Sequence, residues 1–230
     1  MVAVLGDIHG CFYTFKNLVD KIKNKYPGII IYSVGDLIDR GNFSFEVIEY
    51  LQHENILFTP GNHDYMFYFF INYPASQMGN AWLFNGSEST LQSYMGREDK
   101  IKEHLEIIGK APLFLNLNDC FISHAGISKY YRQKLPKNIL SDVEFLDKVL
   151  REDFSESHSI LWTRGELMNI GKLQVVGHTR RDEIVFNKLS NTLYIDTSIY
   201  VGNKLSAVIV DKNQLIEVID EKTCPEDINN

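Results

Sequence analysis

Short apolar runs rich in β-branched residues recur along this chain, and each of the early ones stops at a glycine flanked by Asp, His or Asn. "VAVL" (2–5) runs into "GDIHG" (6–10), "IIIYSV" (29–34) into "GDLIDRG" (35–41), and "ILF" (56–58) is followed by "GNHD" (61–64). Runs of this kind suit strands covered on both faces. Between the first two, Phe12, Phe15, Leu18, Val19 and Ile22 recur at helical spacing until Pro27-Gly28 stops the helix. Phe45, Ile48 and Leu51 outline a second helix before the third run. This alternation predicts β-α-β units and a mainly parallel sheet.

Farther on, Ile101, Leu105 and Ile108 mark one more helix, and Val143, Leu146, Val149 and Leu150 another. The second half is otherwise strand-like: "PLFLNL", "CFISHAG", "LQVVGH", "EIVFNK", "TLYIDTS", "SAVIVD" and "QLIEVI" follow at short intervals. Two packed sheets with helices outside absorb them. Segment 72–97 lacks a clear period and is read as a long structured loop whose Trp82, Phe84 and Tyr94 border the crevice. The final "EKTCPEDINN" is polar enough to fray.

In open α/β sheets, ligands bind outside the carboxyl ends of the strands, so the polar clusters should converge, joined by "SHAG" (123–126) and "GHT" (177–179). Their donors are Asp7, His9, Asp36, Asn62, His124 and His178. That is more than one tetrahedral ion requires, whereas two ions sharing a carboxylate would use them all, with Asp36 as the bridge. Neutral histidines leave the ligands at about −2 against +4 for two divalent ions, so an anion is attracted. Phosphoester hydrolysis is the natural reaction of such a pair, and Arg40 and Arg164 carry the planar forks that suit phosphate oxygens.

The net charge of −7 argues against a nucleic-acid surface, and no stretch approaches the roughly 18 apolar residues of a membrane span. Three cysteines at unrelated spacings suggest neither a disulfide framework nor a zinc ribbon, so a cytoplasmic location is expected. No composition shift marks a linker, and 1–230 reads as a single domain.

"GDIHG", "GDLIDRG", "GNHD", "SHAG" and "VVGHT", in that order, resemble the calcineurin-like metallophosphoesterases of the phosphoprotein-phosphatase superfamily. The resemblance runs from about Val2 to Ser198, and "WLFNG" (82–86) and "ILWTRGE" (160–166) look like the small bacterial and phage-type Ser/Thr phosphatases. It implies an α/β fold, a central β-sandwich of two mixed sheets flanked by helices. It also implies two divalent ions, manganese first and iron or zinc otherwise, one held by Asp7, His9 and Asp36, the other by Asp36, Asn62, His124 and His178. His63 becomes the general acid oriented by Asp39, Arg40 and Arg164 hold the phosphate, and metal-bound hydroxide attacks phosphorus directly.

The substrate expected first is a phosphorylated protein or small phosphoester. Asp64, where eukaryotic relatives typically carry Glu, and Ala125, where they usually have Gly, are also familiar in bacterial relatives that cleave diadenosine tetraphosphate. A diadenosine polyphosphate hydrolase is therefore the second expectation, and a non-catalytic phosphate-binding scaffold a third.

Taken alone, a Gly-Asn or Asp-Gly pair is a turn; it is the recurrence at strand ends that points to a ligand. His53, His104 and His158 lack that setting and read as surface or internally satisfied histidines. Cys11 reads as a buried thiol, the run Tyr65–Ile71 as core, and Lys21, Lys23 and Lys25 as a solvated helix end.

Overall fold

In β1 (Val2–Leu5) every residue is buried and the faces alternate. Ala3 and Leu5 join the cluster under the helices, while Val2 and Val4 join Ile122, Val175 and Leu193 between two sheets. A strand with two apolar neighbours cannot have a polar face, which is why "VAVL" shows no alternation. The computed structural model describes residues 1–228.

After β1 come α1 (Phe12–Lys25), β2 (Ile30–Ser33), α2 (Ser44–His53), β3 (Leu57–Phe58), α3 (Asn62–Asn72), α4 (Gln77–Trp82), α5 (Ser87–Ser93) and α6 (Ile101–Lys110). The rest is β4 (Phe114–Asn116), β5 (Phe121–Ser123), α7 (Val143–Glu152), β6 (Gln174–Val176), β7 (Val185–Asn187), β8 (Thr192–Tyr194), β9 (Lys204–Asp211) and β10 (Gln214–Lys222). One sheet has the order β10-β9-β1-β2-β3 and the other β4-β5-β6-β8-β7. β1, β2 and β3 run parallel, as do β5, β6 and β8, while β9 and β10 in the first sheet and β4 and β7 in the second add antiparallel pairs. Both sheets are thus mixed, as expected, and their parallel strands supply the loops that carry the site.

Two expectations need correction. Segment 72–97 is not a loop: it folds into α4 and α5, opened by the Ser76 hydroxyl accepting from Gly79 N and by Gly86 at φ 91°. These helices have 6 and 7 residues, too few turns to print a period. Trp82, which ends α4, and Tyr94, just after α5, are buried, and of the three aromatics expected at the crevice only Phe84 stands in solvent, 87% exposed.

The tail does not fray over its described part. Asp227 is fully buried and accepts from Tyr13 N (2.9 Å), Thr14 N (2.8 Å) and Thr14 Oγ1 (2.6 Å). It thereby satisfies the first turn of α1, for which Cys11 supplies no side-chain cap. Asn42 N donates to Asp227 O at 2.9 Å, so the tail also holds the loop after β2. Residues 229 and 230 of that tail lie outside the described residues.

The run Tyr65–Ile71 lies within α3; Tyr65, Met66 and Phe67 are core, whereas Ile71 is exposed. His104 is buried and satisfied, between the Tyr94 hydroxyl (2.7 Å) and Glu49 (2.9 Å). Lys21, Lys23 and Lys25 pair at the surface with Glu221, Glu54 and Glu217.

Candidate metal centre

The carboxyl ends of the parallel strands of both sheets meet at one place. Asp7 and His9 follow β1, Asp36 follows β2, Asn62 and His63 open α3 after β3, His124 follows β5, and His178 follows β6. All seven are buried. Two triplets, His9–Asp36–His63 and Asp7–Asp36–His124, each have donor atoms within 4.8 Å of one another, and Asp36 belongs to both.

The backbone is bent to make this possible. His9, Asp36, Asp39, Arg40 and His178 all have positive φ, between 46° and 74°. Such left-handed positions cost energy for residues other than glycine and persist where the surroundings over-determine them. Two glycines act through their missing side chains instead: a Cβ on Gly61 would fall on the Asp36 carboxylate, and one on Gly177 on that of Asp7.

Three histidines are oriented by the same device. His9 Nδ1 lies 3.0 Å from Ile38 O, His124 Nδ1 2.9 Å from Val34 O, and His178 Nε2 3.1 Å from Trp162 O. A carbonyl only accepts, so each of these nitrogens carries the hydrogen and the other ring nitrogen turns a lone pair inward. Burial pushes the pKa of all three below the ordinary value, His178 to about 3, which opposes a second proton.

Inward, His124 Nε2 and His178 Nδ1 face Asn62 Oδ1 at 3.0 and 2.8 Å. Acceptors meet acceptors there, with no proton between them. A divalent cation satisfies all three at once, and the nitrogen, amide and carboxylate donors suit a transition metal. Asp36 completes the set, its two carboxylate oxygens lying toward His124 and His9. Its Oδ1 accepts from His63 N (3.0 Å), at the positive end of α3.

His63 stands beside the donors. Its Nδ1 lies 2.7 Å from Asp39 Oδ2, and its Nε2 3.0 Å from Arg40 Nη2. Burial works against charge on this ring, but Asp36 and the bond to Asp39 prevail and raise its pKa. Asp39 accepts two further bonds, from Trp82 Nε1 (2.9 Å) and Thr90 Oγ1 (2.6 Å). Thr90 escaped the sequence reading because it sits in no strand-end cluster, and Trp82, read there as bordering the crevice, is instead a buried partner of Asp39. Asp64, inside "GNHD", accepts from Leu37 N (2.9 Å) and Gly61 N (2.8 Å), tying the β2 loop to α3.

Arg40 reaches His9 Nε2 as well (3.2 Å), and its guanidinium lies 4.1 Å from the Tyr200 ring centre. Arg164 is exposed and lines a cavity of about 490 Å³ with Trp162, Met78 and Glu156. The neighbouring Glu166 pairs with Lys129, not with Arg164. A larger cavity of about 690 Å³ lies away from the donors, between α3 and α6, and brings no comparable set together.

Residues 1–202 match the calcineurin-like phosphoesterase family. The chain belongs to that family. Metal-dependent phosphoester hydrolysis is its chemistry, and the fold just described is the family's. Among curated proteins, the asymmetrical bis(5'-nucleosyl)-tetraphosphatase PrpE of Anoxybacillus flavithermus is 29% identical over 94% of this chain and 92% of its own length. That of Bacillus mycoides is 26% identical with the same coverage. Among solved structures, a candidate diadenosine tetraphosphatase aligns over 97% of this chain and 94% of its own, with TM-score 0.62 and 18% identity. The cold-active protein-tyrosine phosphatase of a psychrophilic Shewanella aligns over 97% and 80%, with TM-score 0.61 and 20% identity. Likeness at these identities speaks for the fold. Among the described residues no helix is long and apolar enough to cross a membrane.

Proposed function

We propose that this chain hydrolyses dinucleoside polyphosphates with two divalent ions, manganese first in expectation, one held by Asp7, His9 and Asp36 and the other by Asp36, Asn62, His124 and His178. The observation that carries the metal assignment is the meeting of unprotonated acceptors at Asn62, His124 and His178. The substrate rests on the named tetraphosphatases, similar along nearly the whole chain. This ranks the second expectation from the sequence above the first.

Bound there, the ions would supply a water activated near neutral pH and neutralise phosphoryl oxygens. The chain's own residues do the rest. Arg40 and Arg164 orient the phosphoryl group with their forks. When a phosphate engages Arg40, its fork turns from His63, freeing Nε2 to take up a proton, which the raised pKa of this ring favours, and to give it to the leaving oxygen. A P–O bond to water forms as the bridging P–O bond breaks, and the leaving group departs with the electron pair. A scaffold without catalysis would have no use for the His63–Asp39 pair.

A phosphoprotein substrate remains as a second reading, because Trp82 and Tyr94 are buried and leave no aromatic slot for a base in segment 72–97. The test is kcat/KM for diadenosine tetraphosphate and for a phosphothreonine peptide on one metal-loaded sample. The proposal expects the dinucleotide to lead by tenfold or more, about 1.4 kcal/mol of transition-state stabilisation. A lead for the peptide would replace it with the second reading.

A further inference from the structure

Arg180 follows His178 by two residues at the carboxyl end of β6, and Tyr200 lies beyond the carboxyl end of β8, its parallel neighbour. Adjacent parallel strands put these two loops side by side. Arg180 Nη1 donates to the Tyr200 hydroxyl at 2.8 Å, and its guanidinium carbon is 5.1 Å from the ring centre. The same ring lies against Arg40 (4.1 Å) and against His9 (5.0 Å between centres). One tyrosine therefore gathers two cations at the rim of the donor cluster, and their separation cannot exceed the sum of those two guanidinium distances.

On this rim the direct partner of both cations is Tyr200, and the buried Asp196 carboxylate acts on both from beyond ion-pair distance. Arg97 and Arg151 pair with Glu46 and Asp147, whereas among the described residues neither Arg40 nor Arg180 has a carboxylate within 4.0 Å. Like charges drawn together without a directly paired counter-ion cost energy unless an anion joins them. Arg40 and Arg164 serve the reacting phosphoryl group; a further fork beside Arg40, across the Tyr200 ring, serves a second group bonded to the first.

We propose that Arg180, set by Tyr200, holds a second, non-reacting phosphate attached to the phosphoryl group at the metals, making it a specificity residue for phosphoanhydrides over simple monoesters. This rests on the polyphosphate reading above and assigns the part of the site that reads it.

The test is calorimetric titration of the metal-loaded protein, at fixed free metal, with methylenediphosphonate and with methylphosphonate, two probes that are not hydrolysed. In the wild type the diphosphonate binds tighter. Arg180→Ala should weaken the diphosphonate at least tenfold more than the monophosphonate, and Arg180→Lys should recover part of the difference. Equal weakening of both probes, or of neither, overturns the proposal, and a matching melting temperature excludes a folding defect as the cause. Turnover of diadenosine tetraphosphate is measured separately. Turnover with no selective effect of Arg180→Ala on the diphosphonate removes this inference and leaves the function standing. A selective effect without turnover removes the dinucleotide as substrate and keeps Arg180 as the reader of a second phosphate.

Discussion

Asp39 Oδ2 lies 2.7 Å from His63 Nδ1, with no solvent access to the carboxylate and 3% exposure for the histidine. Held by Trp82 and Thr90 as well, Asp39 fixes Nε2 as the ring nitrogen of His63 that faces Arg40, the nitrogen the proposed acid role uses. Asp39→Asn should cut turnover of an alkyl phosphate by ~10²-fold, at the low end of what a general acid contributes. The loss should be smaller for p-nitrophenyl phosphate, whose leaving group needs less protonation. Rates on the two substrates, compared within one preparation, check this; equal losses would remove the acid role.

Asp36 offers one oxygen toward His124 Nε2 (3.5 Å) and the other toward His9 Nε2 (3.6 Å). Asp36→Asn should bring bound metal below two ions per chain and abolish hydrolysis. Elemental analysis after exhaustive dialysis measures the first, and two retained ions would contradict the bridge.

His104 gives a pH dependence that does not involve the metals. Burial lowers its pKa despite the Glu49 carboxylate. Below its ordinary value of about 6.5 the unfolded chain takes up the proton first, so the folded state loses ground. The stability from burying this ring neutral is complete above that value and is lost as pH falls through the lower folded one. His104→Gln should melt at a lower temperature than wild type at pH 7.5, and the gap should narrow toward pH 5.5. A constant gap across that range would show that the ring does not titrate differently on folding.

Asp227 closes the first turn of α1 from the far end of the chain. Asp227→Ala removes three acceptor contacts at a helix start and should cost ~0.5–2 kcal/mol. The urea midpoint should fall with an unchanged slope, since the exposed surface of the unfolded chain is the same. An unaltered midpoint would mean that the tail contributes nothing to stability.

The sequence exposed the donors because their chemistry resides in side-chain identity, and because each follows an apolar run that ends in glycine. Asp7, His9, Asp36, Asn62, His124 and His178 were all visible in this way. The two-sheet architecture was legible too, since runs without alternation require cover on both faces. What supports Asp39 was not legible: Trp82 and Thr90 lie on helices of 6 and 7 residues, whose role is set by what they pack against. Asp227 was missed for a different reason. It meets Thr14 across a separation of 213 residues, and a polar tail carries no local sign of such a partner. Arg180 stood in plain view beside His178, but only the pairing of β6 with β8 brings Tyr200 to it.

The donors are strung from Asp7 to His178, on the ends of strands from two sheets. A nascent chain halfway through synthesis has Asp7, His9, Asp36 and Asn62 but neither His124 nor His178, and the strands that would align them are not yet paired. Contacts so distant in sequence form late in folding. Under the proposed ligand set, the ion that needs His124 and His178 is therefore captured only once both sheets are complete, and the fraction of freshly made protein holding two ions reads out that completion.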